Sequence, residues 1–171
     1  TITKTDILNA AFEMTTEAGF DHVTARTLAA RAGCSTQPIF RVYRNMEELG
    51  TELFERVVAH FEEYYEKFPK KSDTPFVNLG FAYVKFAQDY PKLFKLLFDS
   101  ENKYGKSLYD ILNGKGSVVK EVNNARFSGC SNPSVMFMKM WIFIHGAACM
   151  SLTGDYDLDD EETVTLLEES Y

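Results

Sequence analysis

Apolar residues recur three or four positions apart along most of this 171-residue sequence. That spacing places them on one face of an α-helix, whereas a half-buried strand needs alternating apolar and polar residues. No stretch of such alternation bounded by hairpin turns occurs in the sequence. We therefore predict an all-α fold.

Glycine and hydroxyl residues divide the first 50 residues into short helices. The apolar spacing predicts a first helix from Asp6 to Ala18, ended by Gly19. Thr24 is the predicted N-cap of a second helix that Gly33 closes, and Ser35 is the predicted N-cap of a third. Short helices whose last two members are joined by a tight glycine turn have the layout of a helix-turn-helix.

The third helix contains a proline near its start. With Ser35 as N-cap, Pro38 occupies the third helical position, where a backbone N–H has no intrahelical acceptor. We expect the Ser35 hydroxyl to accept a hydrogen bond from the N–H of Gln37. Thr36, Gln37 and Pro38 are then displayed on the first turn, the part of a recognition helix that meets base edges in the major groove.

The remaining sequence predicts a larger helical region. A fourth helix, from near Asn45 to about Phe68, connects the first three to the rest, and the proline-bracketed segment 69–75 predicts a break. Further helices are predicted at 76–90, 91–101, 132–154 and 159–170. We place a helix-turn-helix domain at residues 1–48 and a larger helical domain at residues 49–171.

Charge, cysteines and hydropathy narrow the class of protein. The net charge of −7 argues against a protein that coats nucleic acid nonspecifically, but it allows a local DNA-reading face. Cys34, Cys130 and Cys149 form no CxxC pair, which is typical of a reducing compartment. The longest uncharged run, 140–154, is shorter than a bilayer span, and the amino terminus has no signal-peptide layout. We expect a cytoplasmic protein with no membrane partner.

The residues offer little for catalysis. The segment GKS at 105–107 resembles the end of a phosphate-binding loop, but Ser100 stands where the first glycine belongs. His60 and Glu63 could share a helix face as metal ligands, but the chain has three histidines and widely separated cysteines. We predict that the protein is not an enzyme and uses no metal or other cofactor.

The run ILNAAFEMTTEAGFDHVTARTLAARAGCSTQPIFRVYRNMEEL resembles the DNA-binding domain of the TetR/AcrR transcriptional regulators. Its glycines, threonine cap, Leu-Ala pair and aromatic cluster fall in the order and spacing of that family. The segments AYVKFAQDYPKLFKLLF and WIFIHG are similar to ligand-binding regions of one branch. The resemblance implies a homodimeric repressor that a small hydrophobic effector releases from a palindromic operator in double-stranded DNA.

The resemblance also implies roles for individual residues. Thr24 would contact phosphate, and Arg26 would enter the groove, where a guanidinium pairs with guanine. Thr36 and Gln37 would read bases, since an amide suits adenine. The implied DNA-binding set is Thr24, Arg26, Ser35, Thr36, Gln37, Pro38, Phe40, Arg41, Tyr43 and Arg44.

Some positions depart from the pattern of the family. Phe40 stands where a tyrosine is usual, Val42 where histidine is common, and Met46 where a lysine often binds phosphate. Residues 1–50 contain five basic and six acidic residues, a net charge of −1. Arg41 and Arg44 would supply phosphate contacts in place of the lost lysine. These departures leave an alternative open, a dimeric helical ligand- or partner-binding module that has lost operator recognition.

The resemblance implies that residues 49–171 are an effector-binding and dimerisation domain, which carries the other implied sites. The family pairs its last two long helices across the dimer axis, and the candidates here are Met136, Met140, Phe143, Ala147, Met150, Leu158, Val164, Leu166 and Leu167. Aromatic residues are typical of a cavity for a small hydrophobic ligand. The predicted ligand-binding residues are Phe86, Phe94, Phe98, Trp141 and His145, of which the last two would be polar handles.

Overall fold

The structure is a computed structural model, and it describes residues 1–113 and 116–171. These residues form α-helices and a short 3₁₀ helix, Phe20–His22, and they include no strand. The α-helices are α1 Lys4–Ala18, α2 Ala25–Arg31, α3 Gln37–Val42, α4 Met46–Lys67, α5 Pro75–Asp89, α6 Pro91–Phe98, α7 Leu108–Leu112, α8 Ser117–Phe127, α9 Pro133–Thr153 and α10 Asp160–Ser170. The predicted all-α fold is confirmed.

One compact unit, called unit 1, consists of Thr1–His60 and Tyr90–Lys106. Within it, α1 packs against α2, α3 and α6. The fully buried apolar residues of this unit include Ile7, Ala11, Leu28, Ile39, Leu49, Leu53, Phe54, Val57, Leu93, Phe94 and Leu97. The segment with α6 therefore shares a core with the first four helices, although about 30 residues separate them along the chain.

The local signals that divide the amino-terminal helices act as the sequence predicts. Thr24 caps α2, since its side chain accepts from the N–H of Thr27 and the Thr27 hydroxyl accepts from the N–H of Thr24. This reciprocal pair satisfies two donors at the helix start. Gly19 has φ of +97° and Gly33 has φ of +67°, values that favour glycine where α1 and α2 end.

The second compact unit, called unit 2, consists of Phe61–Asp89 and Ser107–Tyr171. Its central helix is α5, which packs against α8, α9 and α10. Eleven of the fifteen α5 residues are buried, because apolar side chains occur on every side of this helix. Gly80 lets α5 approach its neighbours closely, since an added Cβ would lie 3.0 Å from Ile144 and 3.2 Å from Leu167.

α9 is longer than the uncharged run that the sequence analysis singled out. It spans 21 residues and includes Lys139, and by length and composition alone it could cross a membrane. Core helices of soluble proteins meet the same criterion. Here one side of α9 packs along α5, while the other side exposes apolar residues.

The boundary between the two compact units falls within α4, between residues 60 and 61. The functional boundary at residue 48 is a different kind of division, because it separates DNA contact from effector binding and dimerisation. It stays a prediction.

Candidate nucleic-acid interface

The start of α3 differs from the prediction. The N-cap is Thr36 rather than Ser35, and no side chain caps the helix. Pro38 consequently occupies the second helical position, not the third. The first backbone N–H groups of α3 therefore have no side-chain acceptor. Because proline has no N–H, Pro38 at the second helical position leaves one fewer N–H group in need of an acceptor.

The first turn of α3 faces solvent. Thr36 and Gln37 are exposed, and Pro38 is half-buried. Farther along the helix, Ile39 is fully buried and anchors it in unit 1, while Phe40 is 49% exposed. The predicted base-reading hydroxyl and amide are therefore accessible, and the exposed Phe40 ring adds an apolar surface that suits a thymine methyl group.

The start of α2 supplies a second group of accessible side chains. Thr24 is exposed although its hydroxyl lies 3.0 Å from that of Thr27. Arg26, in the first turn of α2, is exposed. The capping box thus fixes the backbone from which Arg26 projects.

Tyr43 differs from the other predicted contact residues, because it belongs to the core. Its side chain is 1% exposed, and its hydroxyl donates a hydrogen bond to Glu52 Oε2 at 2.9 Å. Burial, together with the Glu52 carboxylate, raises the pKa of Tyr43 above its usual value. Tyr43 therefore ends α3 as a packed residue, and contact with DNA through its ring is not available in this conformation.

Glu52 joins three elements of unit 1 and was not among the predicted residues. Its Oε1 atom lies 2.5 Å from Lys4 Nζ, which also lies 4.9 Å from the centre of the Tyr43 ring. The carboxylate thus links the start of α1 to the end of α3 from α4. No spacing in the sequence indicates this link, because its members are 9 and 48 positions apart.

The basic residues of the first 50 positions fall into two groups. Arg31 is occupied, since its guanidinium binds both oxygens of Glu17 at 2.7 and 2.8 Å and reaches Glu13 at 3.3 Å. Hydrogen bonding to Arg31 lowers the pKa of Glu17, and the two carboxylates raise that of Arg31. Residues 1–50, called the head below, have a formal charge of −1. Because Glu13 and Glu17 are bound to Arg31, they do not neutralise the other arginines of the head.

The second group of basic residues remains available. Among the ion pairs of residues 1–113 and 116–171, none involves Arg26 or Arg41. The Arg44 side chain is 89% exposed, and its Nε contact with Glu48 is long, at 3.4 Å. The stronger bond in that pair is from the Arg44 backbone N–H to Glu48 at 2.7 Å, which leaves most of the guanidinium open to solvent. Within the first 50 positions, the available positive charge thus lies on α2, on α3 and just after α3.

The predicted ligand-binding residues fall into both units. Phe94 and Phe98 belong to unit 1, are buried, and have ring centres 5.2 Å apart. Phe86 belongs to unit 2, is fully buried, and packs on Phe61 with ring centres 5.1 Å apart. These phenylalanines fill the core of their units, so a ligand that contacts them would have to displace core side chains.

Trp141 and His145 are brought together as predicted polar handles. Their rings stack with centres 5.6 Å apart, and Tyr83 lies beside both of them. An open cleft of about 540 Å³ in unit 2 is lined by other, mainly polar residues, among them Lys70, Lys71 and Glu168. The aromatic cluster and this cleft are therefore separate features.

Comparison with known proteins adds the family context. The sequence of residues 7–53 matches the model of the bacterial regulatory proteins of the tetR family. A TetR-family transcriptional regulator from Rhodococcus sp. has a similar structure, with a TM-score of 0.66 and 14% identity over 96% of this chain and 94% of that chain. A TetR-like transcriptional regulator from Rhodococcus sp. RHA1 has a TM-score of 0.63 and 16% identity, over 96% and 90% of the two chains. No curated protein matches this chain.

Proposed function

We propose that this chain, which belongs to the TetR family through its residues 7–53, is a cytoplasmic homodimer that binds a specific palindromic operator and represses transcription. A small hydrophobic effector would release it from the DNA. Regulators of this family are transcription factors and not enzymes. The proposal rests on one observation above all: the first turn of α3 is accessible, and among the described residues no ion pair involves Arg26 or Arg41.

The chemistry of the exposed residues supports specific reading of DNA. The Gln37 amide can donate to and accept from adenine, and the Arg26 guanidinium can form two hydrogen bonds with guanine. Both side chains are exposed. They project from helices whose positions are fixed by the buried Ile39 and by the Thr24 capping box. Rigid support of this kind keeps polar groups in register with base edges.

Phosphate contacts would come from the remaining accessible arginines. Arg41 lies in the last turn of α3, and Arg44 follows the C-cap residue Tyr43. A guanidinium binds phosphate with two parallel hydrogen bonds. These residues would compensate for Met46, which places an uncharged side chain at the start of α4.

Two copies of the head are needed to recognise a palindrome, and α9 offers a surface for the dimer. Val135, Met138, Ile142 and Met150 follow the helical spacing and are exposed, Ile142 by 65%. Exposed apolar residues grouped along one side of a helix are typical of a contact with another molecule. Gly146 lies in the same stripe, and a Cβ there would meet nothing within 4 Å, so that a second helix could approach closely.

The exposed stripe corrects part of the predicted dimer set. Met140 and Ala147 of α9 and Leu167 of α10 are buried within unit 2, whereas Met150 is exposed as expected. On α9 the error is one of register, because Val135, Met138 and Ile142 are exposed instead. A twofold axis that places Ile142 near its counterpart in a second copy would bury the exposed stripe of both protomers.

An effector would act by binding better to the dimer whose heads are incorrectly spaced for DNA. Such differential binding typically lowers DNA affinity by about 1 to 3 kcal/mol. The aromatic and polar group around Trp141 and His145 is the proposed contact region in unit 2, because it combines ring surface with hydrogen-bonding atoms. Phe86, Phe94 and Phe98 would contribute only after side-chain rearrangement.

The experiment that tests the function is selection of bound duplexes from a random DNA pool by purified protein at near-physiological salt, followed by sequencing. We expect an enriched palindrome whose half-sites lie about one helical turn, or 34 Å, apart, or a multiple of it. A folded protein that enriches no sequence would contradict operator recognition. That result would favour the alternative function, a dimeric ligand- or partner-binding module.

A further inference from the structure

Cys149 and His145 form a thiol–imidazole pair on α9. They are four residues apart, so their side chains lie on the same side of the helix. The Cys149 Sγ atom is 3.5 Å from His145 Nε2, and Cys149 is partly exposed. The sulfur is thus both within reach of a proton acceptor and accessible from solvent.

Two other aromatic residues fix the orientation of this imidazole. The hydroxyl of Tyr83 lies 2.8 Å from His145 Nδ1, and Tyr83 is fully buried in α5. On the face of the imidazole, Trp141 stacks at an interplanar angle of 20°. With one nitrogen held by Tyr83 and the ring held by Trp141, the other nitrogen is directed at the sulfur.

The order of these groups is that of an activated nucleophile. A nucleophile and a base lie within hydrogen-bonding reach, and a third group orients the base. In the tautomer whose Nδ1–H donates to the Tyr83 oxygen, Nε2 carries the lone pair that can accept the thiol proton. The thiolate, and not the thiol, is the reactive form of cysteine.

The other two cysteines have no such arrangement. Cys34 and Cys130 are also partly exposed, but in the described part of the chain only their backbone atoms form hydrogen bonds. They provide internal references within the same molecule. A difference in reactivity between them and Cys149 would report the effect of His145.

We propose that Cys149 is a covalent binding site for soft carbon electrophiles, of which α,β-unsaturated carbonyl compounds are the class. The thiol proton moves to His145 Nε2, and a sulfur electron pair forms a C–S bond with the β-carbon. The electrons of the carbon–carbon double bond shift toward the carbonyl, and the α-carbon takes up the proton from the imidazolium. The addition consumes no oxidant and releases no leaving group. It does not depend on whether the protein binds DNA.

The test uses N-ethylmaleimide, an α,β-unsaturated imide, on dilute, full-length protein near neutral pH. Mass spectrometry of peptides gives the modification rate at each of the three cysteines. An ordinary thiol is only about 3% ionised at that pH, so that full ionisation can accelerate the reaction up to about 30-fold. We expect Cys149 to react about 10-fold faster than Cys34 and Cys130. Equal or slower reaction at Cys149 would overturn the proposal.

Two variants test the role of the partners. His145→Gln should slow Cys149 by about 10-fold and leave the rates at Cys34 and Cys130 unchanged, and Tyr83→Phe should slow it less. An unchanged Cys149 rate in folded His145→Gln protein would also overturn the proposal. If a substitution unfolds the protein, all three cysteines should react faster. The ratio of the Cys149 rate to the Cys34 and Cys130 rates in the unaltered protein then tests the proposal by itself.

Discussion

The Tyr104 hydroxyl lies directly over Gly50 of α4. A Cβ atom added at Gly50 would come within 2.6 Å of the hydroxyl oxygen and 3.0 Å of the adjacent ring carbon. The Tyr104 ring also packs on Phe54 and Phe20, with centre distances of 5.4 and 6.3 Å. The segment that follows α6 is thus fitted to the first half of α4 within unit 1.

This fit predicts the effect of a single methyl group. Gly50→Ala should destabilise unit 1 by roughly 1 to 3 kcal/mol, because Tyr104 must move out of its packed position. Chemical denaturation followed by circular dichroism measures the loss. The matched control is the same substitution in Tyr104→Ala protein, where the added carbon no longer meets the tyrosine ring. Equal effects of Gly50→Ala in the two backgrounds would contradict the packing argument.

Arg26 and Arg31 should differ in their effect on DNA binding. Arg26→Ala should weaken binding to the selected operator by about 1 to 3 kcal/mol, because a base contact is lost. Arg31→Ala removes the same charge from α2 but breaks the pairs with Glu17 and Glu13, so that operator affinity should change little. Titration of labelled duplex at fixed salt measures both. Equal losses would mean that net charge, and not position, sets the affinity.

Met46→Lys should strengthen binding to any duplex. A lysine at the start of α4 would add one phosphate contact and increase the slope of log affinity against log salt by about 0.9. The control is Ala59→Lys, an exposed position on the same helix about 20 Å farther along it. If both lysines steepen the salt dependence equally, the start of α4 does not approach the DNA backbone.

Tyr43 should support stability rather than contact DNA. Tyr43→Phe should cost about 0.5 to 1.5 kcal/mol of stability, because the hydrogen bond to Glu52 is lost, and should leave operator affinity nearly unchanged. The folded state binds the hydroxyl proton more tightly than the unfolded state, whose tyrosine pKa is about 10. The contribution of the Tyr43 hydroxyl to the free energy of unfolding is therefore complete below about pH 10. It is lost as the pH rises through the pKa of Tyr43 in the folded state. The unaltered protein and Tyr43→Phe should therefore differ less in free energy of unfolding at about pH 11 than at about pH 8.

A charge on the exposed face of α9 should separate the protomers. Ile142→Glu should shift the protein from dimer to monomer in sedimentation velocity, since two carboxylates would be buried near the twofold axis. Val119→Glu is the control, because Val119 is an exposed apolar residue on α8. An unchanged sedimentation coefficient for Ile142→Glu would remove this face of α9 from the interface.

Local signals account for most of what the sequence predicted correctly. The Thr24 cap and the positive φ values of Gly19 and Gly33 depend on residues no more than a few positions apart, so their patterns are visible in the chain itself. The N-cap of α3 was wrong by one residue because no side chain caps it, which leaves nothing in the sequence to mark the start.

Contacts between distant residues could not be predicted in the same way. The burial of Tyr43 depends on packing in the core of unit 1 and on Glu52, and the fit of Tyr104 depends on Gly50, 54 positions earlier in the sequence. The Cys149–His145 spacing is visible in the sequence, but the hydrogen bond between Tyr83 and His145 that orients the imidazole is not. Hydrophobic periodicity identifies a buried face without specifying which polar atoms meet there.

The pairing of Arg31 with two glutamates has a consequence for how such a regulator would find its target. A head whose Arg31 is bound by Glu13 and Glu17, in a chain of net charge −7, would attract DNA of arbitrary sequence only weakly. Most copies would then diffuse freely instead of being held along the chromosome. Occupancy of the operator would follow the number of copies in the cell closely, so that modest changes in synthesis would change the regulated output.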